Sequence, residues 1–263
     1  MDESKLFLKK IEDRYDQFLN YQTIMASDFL TMEQQSMLAP FLREHRGTGV
    51  FLFGGFEDAE RRQVLFMPEY TEVKNEEEAL EYFKENPEAC PEMILECTVS
   101  KHDVGKLGHR DYLGALMGEG IKREIVGDIL VNPNGAQIVV SEDMAEYLKK
   151  EFTKAGHTTF ETSLKHVSEI SLGEVRKEVQ RHNVASPRLD NVVSSVFGVS
   201  RKDAVTAISR GIVFVDGAEM LKPDYQLKEG QKLVLRGKGK AIYLGQTGTS
   251  KKGKAYIEVE KYI

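Results

Sequence analysis

Residues 186–217 constrain the fold more than any other stretch. Ser186-Pro187 offers an N-cap and a residue suited to the first helical position, so a helix is expected from Arg188 to about Phe197, ended by Gly198. Ser200 and Asp203 have capping-box spacing, which opens a second helix that runs to Arg210 and stops at Gly211. The hydrophobic period then changes to two. Strands are expected at 212–215, 232–236, 241–244 and 255–260, with Asp216-Gly217 as a tight-turn pair. Two short capped helices followed by a strand meander define a small α+β module.

Charge separates that module from the rest. Residues 184–263 hold fourteen Lys and Arg against eight Asp and Glu, a net of +6. Of the 36 basic and 42 acidic residues in the chain, 22 and 34 lie upstream, a net of −12. A basic module on an acidic body suits a polyanionic partner, because neutralising phosphates releases condensed counterions.

The cations stand where such a partner could be gripped. Ser200, Arg201 and Lys202 begin a helix, where unpaired N–H groups and the dipole favour phosphate. Arg188 is a further contact candidate, and Asp190 serves either an ion pair or an RNA role. In Arg236-Gly-Lys238-Gly-Lys240 the glycines let backbone approach a ribose-phosphate chain without Cβ obstruction. Lys251, Lys252 and Lys254 form a loop that is either a phosphate-contacting finger or a solvated turn. Arg210 completes the set.

Upstream, Leu6, Ile11, Tyr15, Phe18 and Leu19 point to a first helix. Thr31 and Gln34 have capping-box spacing for a second, running to Leu42. Apolar runs at 50–53 and 63–67 read as a hairpin, completing a helical N-terminal domain with a small β-unit over 1–74. From 75 to 173 the sequence predicts an acidic helix (76–86), then strand (93–100), helix (110–117), strands (128–131 and 136–140), helix (from Ser141 to Ala155) and strand (158–163). The order strand, helix, strand, strand, helix, strand is that of a ferredoxin-like or RRM-like domain, without the aromatic strand consensus of a true RRM. Residues 174–183 read as a linker or bridging helix, and 184–263 as the terminal module.

Several classes are excluded or not implied. No run of about 18 apolar residues and no leader pattern appear, so a cytoplasmic protein without a membrane partner is expected. Cys90 and Cys97 are too few for a zinc knot, and no metal or other cofactor is implied.

The motifs also resemble a known family. R-L-D at 188–190, S-R-x-x-A from Ser200, I-x-x-G-x-V-x-V-[ND]-G from Ile208 and a distal R-G-x-G from Arg236 are similar to the S4 RNA-binding domain and its αL motif. The match covers about residues 187–241. Two positions depart from it: Asp216 stands where Asn is frequent, and Gln231 where Asp is common. Gly108-His109-Arg110-Asp111-Tyr112-Leu113-Gly114-Ala115-Leu116 and the segment from Gly120 through Asp128 resemble the central domain of YlmH-type proteins. Those are bacterial S4-domain proteins associated with cell-division gene neighbourhoods and rescue of stalled large ribosomal subunits. The resemblance implies binding of rRNA and tRNA on the large subunit, in quality control of stalled translation, with no DNA partner.

Two other readings stay open: an RNA-modifying enzyme that uses the S4 domain to hold substrate, and an adaptor in cell division. Pseudouridine synthase, tyrosyl-tRNA synthetase and methyltransferase signatures are absent, as is H-E-x-x-H. His102, Asp103, His109 and Asp111 cluster in sequence without a catalytic motif, so a non-enzymatic binding protein is expected. Lys101, Lys106, His109, Arg110, Lys122 and Arg123 form the basic concentration of the acidic body, either a second RNA surface or a solvated loop.

Overall fold

The computed structural model describes residues 3–56, 59–172, 177–250 and 253–262. The chain forms two compact units, Met1–Gly173 and Glu174–Ile263.

The first unit opens with α1 (Glu3–Tyr21), β1 (Met25–Ala26), α2 (Met32–Met37), α3 (Ala39–Glu44), β2 (Val50–Phe53) and β3 (Gln63–Phe66). Thr31 and Gln34 make the expected reciprocal capping box on α2. The stripe of α1 is Phe7, Ile11, Tyr15 and Phe18 packed on Phe66 and its neighbours, while Leu6 and Leu19 face solvent. Strands β1, β3 and β2 form a three-stranded antiparallel sheet.

Then follow α4 (Glu76–Glu85), β4 (Glu92–Val99), α5 (His109–Gly118), β5 (Val126–Asn132), β6 (Gly135–Ser141), α6 (Glu142–Glu151), β7 (Lys154–Ala155) and β8 (Thr158–Lys165). Helix α6 ends four residues before Ala155, because Lys154 and Ala155 pair with Thr159 and Thr158 instead. The sheet order β5-β6-β4-β8-β7 contains the antiparallel ferredoxin-like arrangement that the element order predicts. Register places Leu95, Cys97 and Ile138 on one face, against Tyr112, Leu116 and Leu148 from the two helices.

On the opposite face Ile94 and Val139 pack against Phe29, Phe53 and Phe83. The boundary expected between residues 74 and 75 therefore falls inside a single core. Phe29 N–H also donates to Glu124 O at 2.7 Å, and the N–H groups of Glu60 and Arg61 donate to Asp128. The rest of that face carries Glu96, Thr98, Gln137, Glu161 and Lys165, so it presents no aromatic platform for stacking bases. Both cysteines are buried, and burial pushes the Cys97 thiol up to about 12.

The second unit comprises β9 (Lys177–Val184), α7 (Leu189–Phe197), α8 (Arg201–Ser209), β10 (Val213–Val215), β11 (Ala218–Glu219), β12 (Lys232–Leu235), β13 (Gly239–Thr249) and β14 (Ala255–Tyr262). The linker expected at 174–183 is corrected over its described part: residues 177–183 belong to an edge strand, paired antiparallel with β14 along its length. Only Val184 of that strand is buried, so it has no apolar alternation to announce it. The six-stranded order is β11-β10-β12-β13-β14-β9. Both helices cover one face, where Val192, Val196, Ile208, Leu233, Ala241, Ile257 and Val259 form the core.

Candidate nucleic-acid interface

Asp190 organises the basic residues at the start of α7 and α8. Its carboxylate is 1% exposed and accepts from one edge of each of two guanidinium groups: Arg188 Nε and Nη2 at 3.1 and 3.3 Å, and Arg201 Nε and Nη2 at 3.1 and 2.9 Å. The arginines themselves stay partly in water, at 36% and 62% side-chain exposure. A buried acid thus fixes two cations and leaves the trio with a net charge of +1. Asp190 has a structural role here, which settles the choice the sequence left open.

The helix starts differ from each other. Helix α7 begins at Leu189, one residue later than expected, and Ser186 does not cap it. Its first N–H groups go to the 223–225 loop, Leu189 to Tyr225 O at 2.8 Å and Asp190 to Pro223 O at 3.0 Å, while Ser186 Oγ accepts from Asn191 Nδ2. At α8, Ser200 Oγ accepts from Asp203 N–H at 3.1 Å and donates to the Asp203 carboxylate at 2.6 Å. The hydroxyl of Ser200 is therefore engaged within the cap. The N–H groups of Arg201 and Lys202 have no acceptor among the described residues, so this end offers two backbone donors beside two exposed cations.

The other sequence candidates divide among separate places. Arg210 ends α8, about 13 Å from Arg201 at 1.5 Å per residue. Arg236 lies near it, with its N–H on Ile212 O, and Lys238 tips the same β12–β13 turn. Arg236 lies 4.3 Å over the Phe214 ring. Lys240 and Lys177 flank Tyr262, and Arg181 lies 4.6 Å from Tyr256, on the sheet face turned away from the helices. Lys177, Arg181, Phe214, Tyr256 and Tyr262 escaped the sequence reading, because only strand register brings them together. Lys254 is exposed at the β13–β14 tip; Lys251 and Lys252 lie outside the described residues.

The two departures from the S4 pattern turn out to be partners. Asp216, at φ +49°, forms the β10–β11 turn with Gly217; its carboxylate accepts from Lys232 N–H and from Gln231 Nε2, both at 2.8 Å. Gln231 Oε1 accepts from Lys228 N–H at 2.9 Å. An Asn at 216 and an Asp at 231 would make the same link with donor and acceptor exchanged.

In the first unit the six basic candidates separate too. Lys101 and Lys106 are exposed in the loop entering α5, and His109 and Arg110 are exposed in its first turn. Lys122 and Arg123 follow its other end, about 15 Å away by helix length. The His102 cluster does not assemble a site. The Lys106 and Ser100 hydrogen bonds hold the Asp103 carboxyl below its usual range, and Asp111 caps α5 through Gly108 N–H. Among the described residues no group of His, Cys, Asp and Glu could hold a metal ion, and no helix is long and apolar enough to cross a membrane.

The buried-acid trio at a helix start and the β-meander behind it define an S4 RNA-binding domain, and residues 187–233 match the S4 domain family. Residues 94–169 match the family described as "Putative RNA-binding domain in YlmH". With both domains in this order, the chain is similar to the YlmH-type S4-domain proteins over these two segments. It is 29% identical over 235 residues to the ribosome-associated protein quality control protein P2 of Bacillus subtilis (strain 168), covering 89% of this chain and 86% of that one. The solved structure of the cell division protein YlmH from Streptococcus pneumoniae aligns over 64% of this chain and 94% of its own, at 21% identity and a TM-score of 0.47.

Proposed function

We propose that this RNA-binding protein acts without catalysis on the large ribosomal subunit, holding rRNA and tRNA during quality control of stalled translation. The observation that carries this reading is the Arg188–Asp190–Arg201 trio beside the α8 N–H groups without an acceptor among the described residues, cationic and backbone donors of the kind that hold phosphate. The name of the Bacillus relative supports the ribosomal setting, and the YlmH-type resemblance supplies the large subunit.

Co-sedimentation with purified ribosomal subunits over a salt series tests it. Wild-type protein is expected to pellet with the large subunit, less so as salt rises, and the Arg201→Glu, Lys202→Glu protein to stay in the supernatant. Neutral substitution of Arg201 alone should lower the log–log salt slope by about 1. Wild-type protein that pellets with neither subunit would overturn the reading.

A further inference from the structure

A cleft of about 660 Å³ opens in the first unit between α1, the 27–31 segment and the 122–124 turn. Its size lies within the range of about 300–1,000 Å³ usual for small-molecule sites. Phe7, Ile11, Phe29 and Leu30 supply apolar wall, and Arg61 and Arg123 stand together in the lining.

The arginine pair is held in an unusual way. Arg61 donates from Nε to Val126 O at 2.9 Å and from Nη2 to Phe29 O and Arg123 O at 3.0 and 3.1 Å. Arg123 donates from Nη1 to Val126 O and to Gly127 O at 3.1 Å. All these acceptors are neutral carbonyls. The half-buried Asp128 spends its carboxylate on the N–H groups of Glu60 and Arg61, and no carboxylate lies within ion-pair distance of either guanidinium among the described residues. Burial and the neighbouring Arg61 depress Arg123 to about 10, and burial lowers Arg61 as well. Asp128 offsets the two charges from beyond ion-pair distance, and a bound anion would relieve the repulsion that remains between them. Arg61 Nη1 and Arg123 Nε and Nη2 have no acceptor among the described residues, and Lys10, Arg14 and Lys122 line the same cleft with Asp13, Asp28 and Glu124, so that five cations, the arginine pair included, face three acids.

We propose that this cleft binds a phosphate-bearing ligand of mononucleotide size, with the phosphate on Arg61 and Arg123 and the apolar remainder against Phe7 and Ile11. The phosphate comes either from a free nucleotide or from the terminal nucleotide of an RNA strand. The proposal is independent of the S4 surface.

Calorimetric titration of the full chain tests it with four probes: adenosine 5′-monophosphate, adenosine, and an oligoadenylate tetramer with and without a 5′-phosphate. Saturable binding of at least one phosphorylated probe, with the unphosphorylated counterpart at least about tenfold weaker, is expected from charge-assisted bonding. Arg123→Gln should weaken that binding about tenfold or more. The Lys10→Gln, Lys122→Gln protein, altered only at exposed side chains, covers the case in which the Arg123 variant fails to fold, and should weaken it several-fold. The monophosphate binding more tightly than the phosphorylated tetramer assigns a free nucleotide; the reverse assigns an RNA end. No saturable binding by either phosphorylated probe, or equal binding by wild type and the Lys10/Lys122 variant, overturns the proposal.

Discussion

Changing Asp190 to Asn distinguishes positioning of the arginines from simple charge balance. The carboxylate takes four guanidinium contacts between 2.9 and 3.3 Å on its two oxygens. Three of the four contacts fall on Oδ2, so an amide that keeps its oxygen there loses one contact, turns an NH₂ toward Arg188 Nε and strips the other three of the carboxylate charge. Buried bonds to charge contribute about 1.5–3 kcal/mol each. With Arg188 and Arg201 at 36% and 62% exposure, water replaces much of that loss, leaving a net cost of about 2 kcal/mol. For a unit of roughly 90 residues this lowers the melting temperature by about 8–16 °C. Affinity is the sharper readout. Charge alone favours the variant: deleting one negative charge about 7 Å from a phosphate, at an effective dielectric of about 40, gains roughly 1 kcal/mol. Against this, two freed arginine side chains cost about 0.5–1.5 kcal/mol each to immobilise again, and the fixed fork geometry is lost. The balance is about fivefold weaker binding to large ribosomal subunits at constant salt, measured below the melting transition. A variant that binds as tightly as wild type, or more tightly, refutes the positioning role.

Asp216→Asn and Gln231→Asp should each destabilise the second unit by about 1 kcal/mol, and the double variant by less than their sum, because the pair exchanges donor and acceptor; a double-mutant cycle in urea with no coupling would sink that link. Glu92 makes a pH-dependent prediction. Its carboxyl is fully buried with neither oxygen hydrogen-bonded, and burial first, then Glu76, raises its pKa well above 4.5. The unfolded chain therefore loses this proton near pH 4.5 while the folded chain keeps it, so stability falls as pH rises from there to the folded value. Glu92→Gln removes that slope: its advantage over wild type should grow by up to about 1.4 kcal/mol per pH unit above 4.5 and vanish below it. Urea melts from pH 4 to 8 that show a constant difference would refute the assignment.

The parts legible in the sequence are those whose cause is local. Thr31 and Gln34 mark α2 because a capping box spans only three residues, and Asp216-Gly217 marks a turn because only a few residues take positive φ. The Arg188–Asp190 pair is readable for the same reason. Strand β9 was not readable: its partner β14 lies some seventy residues away, and its open-face residues Lys177, Arg181 and Asn183 carry no apolar period. The undivided core of the first unit was equally hidden, since Phe29 and Val139 meet only through the sheet. Arg61 and Arg123 stand 62 positions apart, joined by a carbonyl contact that no spacing rule anticipates.

These two arginine arrangements follow opposite electrostatic logic. At the S4 surface, Asp190 neutralises one of two cations and orients both, so the free state is stable, and in the proposed function the arginines meet phosphates that arrive and leave with salt. In the first unit, carbonyl dipoles orient Arg61 and Arg123 while Asp128 offsets their charges only from beyond ion-pair distance, so the free state carries repulsion that a bound anion would relieve. The first arrangement suits a long polyanion contacted at many points, where each contact is weak and screened. The second suits a single phosphate held in a partly desolvated cleft, where one contact is strong and screening is poor. Salt should therefore distinguish them: subunit binding through Arg201 should fall steeply as salt rises, and phosphate-dependent binding through Arg123 should fall little over the same range. Equal steepness in both would mean that the cleft arginines act as ordinary surface charge.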